Sequence, residues 1–210
     1  MDPVEREDFK EQLSLMVAGR GDGIDLDSPQ RWVVEGLRDP VLFLQHLERL
    51  IPGESILYFE VIMVAPEVTE FYEANRAGSG AVCVVRDVIF PVPAIFHVQL
   101  RPGVMEGLIN LLRTNSQESC FTHVKAYRDE QLLFAFHDAF DGSPMLVSDR
   151  IPAERLQSFC AATGATYRCE PNVNKRDPEV LRRLLWAMEN PGEIRMFWPW
   201  WKKALFFWKK

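Results

Sequence analysis

The stretch CFTHVKAYRDEQLLFAFHDAFDGSPMLV, residues 120–147, decides the fold of this chain. Two runs within it, 120–127 and 131–137, are rich in the aromatic, β-branched and apolar residues that favour strands, and a charged turn at 128–130 joins them. Strands joined by so short a turn pair antiparallel. The stretch therefore predicts a β-hairpin, and the turn sequence DGSP that follows leads into a third strand at 145–147.

Further strands and helices are interspersed on both sides of this hairpin. Strands are predicted at 55–64, 81–90, 94–100 and 165–169. Helices are predicted to start at Pro40 behind the N-cap Asp39, at Pro66, after the turn 101–103 and at Pro152, and Trp32, Val33 and Leu37 suggest another short helix. Because strands occur singly and in adjacent pairs between helices, the sequence predicts an α+β fold, a single two-layer domain with a mixed or antiparallel sheet.

The domain boundaries follow from breaks in this pattern. Residues 1–190 are predicted to form one α+β domain, which begins with an amphipathic helix at 1–18 and a glycine-rich flexible joint at 19–30. A last helix is predicted to start at Asp177-Pro178, and Pro191-Gly192 stops it. The remaining segment, 191–210, is called the tail below.

Charge separates the tail from the rest of the chain. The net charge of the chain is −6, and the five cations that follow Glu193 contribute +5. Residues 1–194 therefore carry −11. An acidic body repels nucleic acid and anionic lipid, which argues against a nucleic-acid-binding module. The acidic start of the chain lacks the apolar core of a signal peptide, and we expect a cytoplasmic protein.

The tail combines aromatic residues with lysines, side chains that pair an apolar body with a polar tip. Placed on a helix after Pro199, its lysines share one arc, and its tryptophans and most of its other apolar residues occupy the opposite side. The predicted interaction residues are Phe197, Trp198, Trp200, Trp201, Lys202, Lys203, Phe207, Trp208, Lys209 and Lys210. Such a helix is too short to span a bilayer but suits a surface.

The sequence allows three alternative binding partners for the tail. It can dock on the body or on a second copy of the chain, attach to a membrane surface, or stack on single-stranded nucleic acid. The acidic body argues against the last, because aromatic stacking platforms usually lie in a broad basic groove. The sequence predicts a non-catalytic binding protein whose tail mediates homo-oligomer, partner or membrane-surface contact.

The alternative is a hydrolase-like enzyme with a histidine and acid site on the sheet. Three histidines lie on predicted strands, and two aspartates follow the last of them: His97, His123, His137, Asp138 and Asp141. A three-residue loop at 128–130 would place His123 and His137 on one face of the sheet, whereas a two-residue loop would place them on opposite faces. The sequence does not choose between the two registers, and Asp141-Gly142 also fits an ordinary turn.

Local motifs give this enzyme no support. The sequence contains no GxSxG, HExxH, GxxxxGK[ST] or CxxC, and its Gly78-Ser79-Gly80 precedes a predicted strand instead of opening a helix. The four cysteines are widely spaced, and we expect them to be reduced, with Cys83 and Cys120 in apolar, strand-like surroundings. The sequence therefore predicts neither a cofactor nor a metal.

Overall fold

The computed structural model describes residues 29–78, 88, 92–128, 131–171 and 186. The chain divides into two units, one formed by Asp22–Val173 and the other by Met1–Gly21 with Asn174–Lys210. All described residues except Trp186 belong to the first unit, and the fold below is that of this unit. The predicted helix at 1–18, the tail, nearly all of the joint at 19–30, and the strand predicted at 81–90 except for Val88 lie outside the described residues.

The unit is a seven-stranded antiparallel sheet with five helices, which confirms the predicted α+β class. The strands are β1 (Gln30–Glu35), β2 (Ile56–Val61), β3 (Ala94–Gln99), β4 (His123–Arg128), β5 (Gln131–Phe136), β6 (Met145–Ser148) and β7 (Thr166–Pro171). The helices are α1 (Pro40–Leu50), α2 (Pro66–Ala74), α3 (Val104–Thr114), α4 (Gln117–Cys120) and α5 (Ala153–Thr163). The strand order is β3-β2-β4-β5-β6-β1-β7, and every neighbouring pair is antiparallel.

The hairpin predicted from 120–147 is present as β4 and β5, and β6 pairs with β5 as its third strand. The first residues of the stretch are an exception, because Cys120 ends the short helix α4 instead of starting a strand. Ser116 caps this helix by accepting the backbone N–H of Ser119. A local cap thus overrides the strand preference of the apolar residues beside it.

The short helix predicted from Trp32, Val33 and Leu37 is wrong. These residues belong to β1 and the turn after it, and β1 lies between β6 and β7. A segment paired on both sides gains two rows of backbone hydrogen bonds, which outweighs the weak helical spacing of three residues. Gln30, the last residue of the predicted joint, is the first residue of this strand.

The predicted proline-initiated helices are confirmed, and α1 shows why. The carboxylate of Asp39 accepts the backbone N–H groups of Val41 at 2.8 Å and Leu42 at 3.1 Å, and Pro40 follows at the first helical position. At the other end, the guanidinium of Arg155 from α5 donates to four carbonyls, those of Glu48, Arg49, Leu50 and Ile51. The start of α1 is therefore encoded locally, and its end is held by a distant side chain.

The helices pack against one face of the sheet and enclose the apolar core. Helix α1 packs on α5 and α3, and α3 packs on α2. Phe43 of α1 lies at the centre, with ring contacts to Phe134 and Phe136 of β5, to Phe140 and to Phe159 of α5. The other face of the sheet is the one that carries the candidate chemistry.

Candidate functional site

The sheet face turned away from the helices is polar but closed to solvent. Six residues of the three strands β2, β3 and β4 define it: Tyr58, Glu60, His97, His123, Lys125 and Tyr127. We call them the polar face. Glu60 and Lys125 are 0% exposed, and His123 is 5% exposed. Charged residues are almost never fully buried without partners, so the partners within this group decide what it can do.

Strand register brings the six residues together. Tyr58 of β2 lies opposite His97 on one side and Lys125 on the other, and Glu60, two residues further along, lies opposite His123. Residues directly opposite each other in an antiparallel pair have their Cβ atoms about 4.5–5.5 Å apart. One row of the face is therefore His97, Tyr58 and Lys125, and the next row contains Glu60 and His123.

Glu60 is the centre of the hydrogen-bonding network. Its Oε1 accepts the phenolic O–H of Tyr58 at 2.8 Å, and its Oε2 accepts the backbone N–H of Val88 at 3.0 Å. The ammonium group of Lys125 lies over the ring of Tyr58, 5.5 Å from its centroid. Both carboxyl oxygens of Glu60 are thus engaged by donors of the protein itself.

His97 of β3 forms a hydrogen bond to a residue of β4, the strand on the other side of β2. Its Nδ1 lies 2.5 Å from the hydroxyl of Tyr127, and its ring stands edge-on to the rings of Tyr58 and Tyr127. Burial, together with the positive charge of Arg76, lowers the pKa of His97 below its ordinary value. The neutral ring is favoured, and its tautomer decides whether Nδ1 or the Tyr127 hydroxyl is the donor in this hydrogen bond.

A β-bulge brings His123 and His137 to the same side of the sheet. Arg128 pairs with Gln131, so the loop has two residues, which alone would place the histidines on opposite faces. The register then shifts between Ala126 and Tyr127, and the extra residue Leu133 restores the shared face. The two imidazole rings are 6.3 Å apart. Neither register considered from the sequence included this bulge.

His123 is held by the turn that carries Asp138. Its Nδ1 accepts the backbone N–H of Asp138 at 2.8 Å, and the carboxylate of Asp138 lies 3.8 Å from the same nitrogen. An Nδ1 that accepts a hydrogen bond is unprotonated, so a neutral His123 carries its proton on Nε2. Asp138 itself has a left-handed backbone, with φ 44°.

Asp141 does not join this group. It is exposed, and its Oδ1 accepts the backbone N–H of Ser143 at 3.0 Å, the hydrogen bond of an Asx turn. The structure therefore gathers His123, His137 and Asp138 at one end of β4 and β5 and places His97 on the same face beyond β2. By strand spacing alone, His97 and His123 are about 11 Å apart.

Metal and ligand sites are not evident in the part of the chain that the structure describes. No group of three or more histidine, cysteine or acidic side chains there could hold a metal ion. A surface cavity of about 880 Å³ lies at the ends of α1 and β3, with Glu48, Glu54 and Arg101 in its lining, and none of the histidines borders it. The histidines share a sheet face, not a cleft.

The described cysteines are free thiols. Burial, aided by Glu67, raises the pKa of Cys120 to about 11, and burial raises the pKa of Cys160 to about 11 as well. Such thiols are protonated at neutral pH and are poor nucleophiles. Cys120 lies in the apolar core as expected, and Cys160 is buried as well, whereas Cys169 is exposed and Cys83 lies outside the described residues.

Four members of the polar face were missed from the sequence: Tyr58, Glu60, Lys125 and Tyr127. Their signal was present in the strands, where a polar or charged residue alternates with an apolar one, as in Leu57-Tyr58-Phe59-Glu60. Alternation of this kind usually marks a solvent-facing side. Nothing in the pattern shows that the second side is also buried.

Comparisons with protein-family models, with curated proteins and with solved structures find no match to this chain. Its function therefore has to be argued from its own residues. The described helices include none that is both long and apolar enough to cross a membrane. The interaction residues predicted in the tail all lie outside the described residues.

Proposed function

We propose that this protein acts by binding, and that the tail makes a contact with a second copy or with another protein. The main support for this proposal is the concentration of positive charge and tryptophan in the tail. Four of the six tryptophans and five cations follow Glu193, and no acid does. The rest of the chain has a net negative charge. A basic, aromatic segment complements an acidic protein surface. We place this activity in the cytoplasm.

The polar face supports the non-catalytic part of the proposal. Glu60 accepts hydrogen bonds at both carboxyl oxygens, His97 is engaged by Tyr127, and the Nδ1 of His123 is engaged by the turn at Asp138. A catalytic base has to reach the proton that it removes. Side chains committed to each other and buried in a sheet face serve that purpose poorly.

Two alternative functions are each supported by a specific observation. The tail can lie in a membrane surface, because its composition is that of an interfacial amphipathic helix. A hydrolase-like enzyme is favoured by the proximity of His123, His137 and Asp138, which are acid-base groups brought together from β4 and the turn after β5. If such an enzyme exists, His123→Gln abolishes its activity and leaves the tail contact unchanged.

The experiment compares the full chain with a chain that ends after Glu193. We expect the full chain to show a higher mass in solution as its concentration rises, or to bind a partner that the shortened chain does not bind. A full-length control with Lys202, Lys203, Lys209 and Lys210 all replaced by Gln keeps the aromatic residues and separates charge from apolar contact. Sedimentation with vesicles of anionic and of neutral lipid tests the membrane alternative. Equal mass and equal vesicle binding for all three chains would contradict any role of the tail in contact.

A further inference from the structure

Among the described strands, β7 is the last of the sheet and bonds to β1 alone. Five of its six residues, Thr166 to Cys169 and Pro171, are exposed. The outer edge of such a strand presents backbone N–H and C=O groups that can pair with another strand. The edge at β7 is therefore a candidate surface for strand addition.

The side chains of β7 alternate between two chemically distinct rows. Tyr167 and Cys169 lie on the side of Trp32, with the rings of Trp32 and Tyr167 edge to face at 5.8 Å. Arg168 and Glu170 lie on the other side and belong to a ladder of ion pairs with β1. In that ladder Arg31 donates to Glu170 at 2.6 Å, and Arg168 contacts Glu35 at 2.5 Å and Glu170 at 3.6 Å.

We propose that two copies of this protein pair through β7, antiparallel and centred on Cys169. In this register Arg168 lies opposite Glu170 of the partner subunit, and by symmetry Glu170 lies opposite Arg168 of the partner subunit. A shift of the register by two residues in either direction keeps every side chain on its face but sets Arg168 against itself or Glu170 against itself. Opposite charges across a strand pair stabilise it and like charges destabilise it, so the register is selected.

The same charges reduce pairing with other strands. Charged residues on an edge strand discourage association with an unrelated sheet, since a neutral strand offers them no opposite charge and takes them out of water. Here their signs alternate in a self-complementary order, and a second copy is the partner that matches both. Pro171 has no N–H to donate and limits the paired segment to about five residues. So short an interface buries less than the ~1,000 Å² of a stable complex, and the dimer is weak.

Cys169 reports this register directly. Its Cα would lie about 4.5–5.5 Å from that of Cys169 of the partner subunit, within the range of a disulfide.

The inference rests on β1 and β7 and not on the tail. Oxidation of the full chain at high concentration should therefore give a dimer linked Cys169 to Cys169, as identified by mass spectrometry of the joined peptides. A matched control carries Cys169→Ser and Tyr167→Cys. In it the two thiol positions are offset by four residues, about 13 Å, and we expect at least tenfold slower cross-linking.

A mixing experiment tests the charge match apart from any effect of the variants on folding. Arg168→Glu makes this row of β7 entirely acidic, and Glu170→Arg makes it entirely basic. When the two variants are mixed and oxidised, we expect the mixed dimer to exceed the half that random pairing gives by a wide margin. Each variant loses two ion pairs within its own chain, those of Arg168 with Glu35 and Glu170 or those of Glu170 with Arg31 and Arg168. Such a loss cannot favour the mixed dimer. Random proportions, or cross-linking at Cys169 no faster than in the Tyr167→Cys control, would overturn the proposal.

Discussion

The two faces of the sheet come from alternate residues of the same strands, yet they are closed to solvent in opposite ways. On the helix side, Phe59 stacks on Tyr72 with ring centroids 4.8 Å apart and belongs to the apolar core. On the other side, its neighbours Tyr58 and Glu60 are equally buried and hydrogen-bonded to each other. One strand thus serves two interiors, one built from apolar area and one from directed polar contacts.

The difference lies in what each face tolerates. An apolar interior loses stability in proportion to the contacts removed, and neighbouring side chains can partly fill the space. A polar interior loses little if both partners are replaced, but leaving one buried donor without an acceptor incurs its full desolvation cost. The two faces should therefore respond differently to substitutions at adjacent positions.

Phe59→Ala should have the largest effect. It removes the ring that packs on Tyr72 and Phe121, and we expect a loss of about 3–5 kcal/mol in the free energy of unfolding. Chemical denaturation followed by tryptophan fluorescence measures it. Phe59→Leu is the control and should lose distinctly less. A loss below about 1 kcal/mol for the alanine variant would mean that this face is not the main core.

Glu60→Ala should have an intermediate effect. It removes the carboxylate that accepts the Tyr58 O–H and the Val88 N–H, and we expect a loss of about 1–3 kcal/mol in the free energy of unfolding. Glu67→Ala, an acid in the first turn of α2, is the matched control, with an expected change of a few tenths to 1 kcal/mol. Equal losses in the two variants would remove the distinction between a buried polar face and an ordinary surface.

The smallest effect is a pH dependence at His97. Because burial lowers the pKa of His97 in the folded state, the unfolded chain takes up a proton first as the pH falls through the ordinary value of 6.5. The contribution of the neutral ring to stability is therefore complete above that pH and decreases below it. His97→Gln should flatten the decrease between about pH 7 and pH 5, as measured by denaturation at each pH. An unchanged slope in the variant would place the titrating group elsewhere.

Much of the fold could be predicted because it is encoded locally. Asp39-Pro40 and Pro66 mark helix starts by capping and by a fixed backbone angle, and the hairpin is set by its short turn. The strand at 30–35 could not be predicted, since its pairing with β6 and β7 depends on residues more than 100 positions away in sequence. Secondary-structure propensity reflects a residue and its neighbours in sequence, whereas strand pairing depends on residues far away in the chain.

The candidate site was predictable only in part, for a related reason. The histidines were evident as residue types, but their shared face depends on the extra residue Leu133, which no turn signal indicates. Lys125 and Glu60 would be ordinary solvent-facing residues in a strand with one wet side. Their burial is a property of the assembled fold and not of the strand that carries them.

A double-mutant cycle on Tyr58 and Glu60 tests the central claim, that the polar face is an interior held by mutual hydrogen bonds. Unfolding free energies would be measured for the parent chain, Tyr58→Phe, Glu60→Ala and the double variant. If the 2.8 Å hydrogen bond is a buried structural tie, the two changes are coupled by about 1 kcal/mol or more, and the double variant loses less than the sum of the single losses. Additive losses, with a coupling within about 0.3 kcal/mol of zero, would contradict the claim.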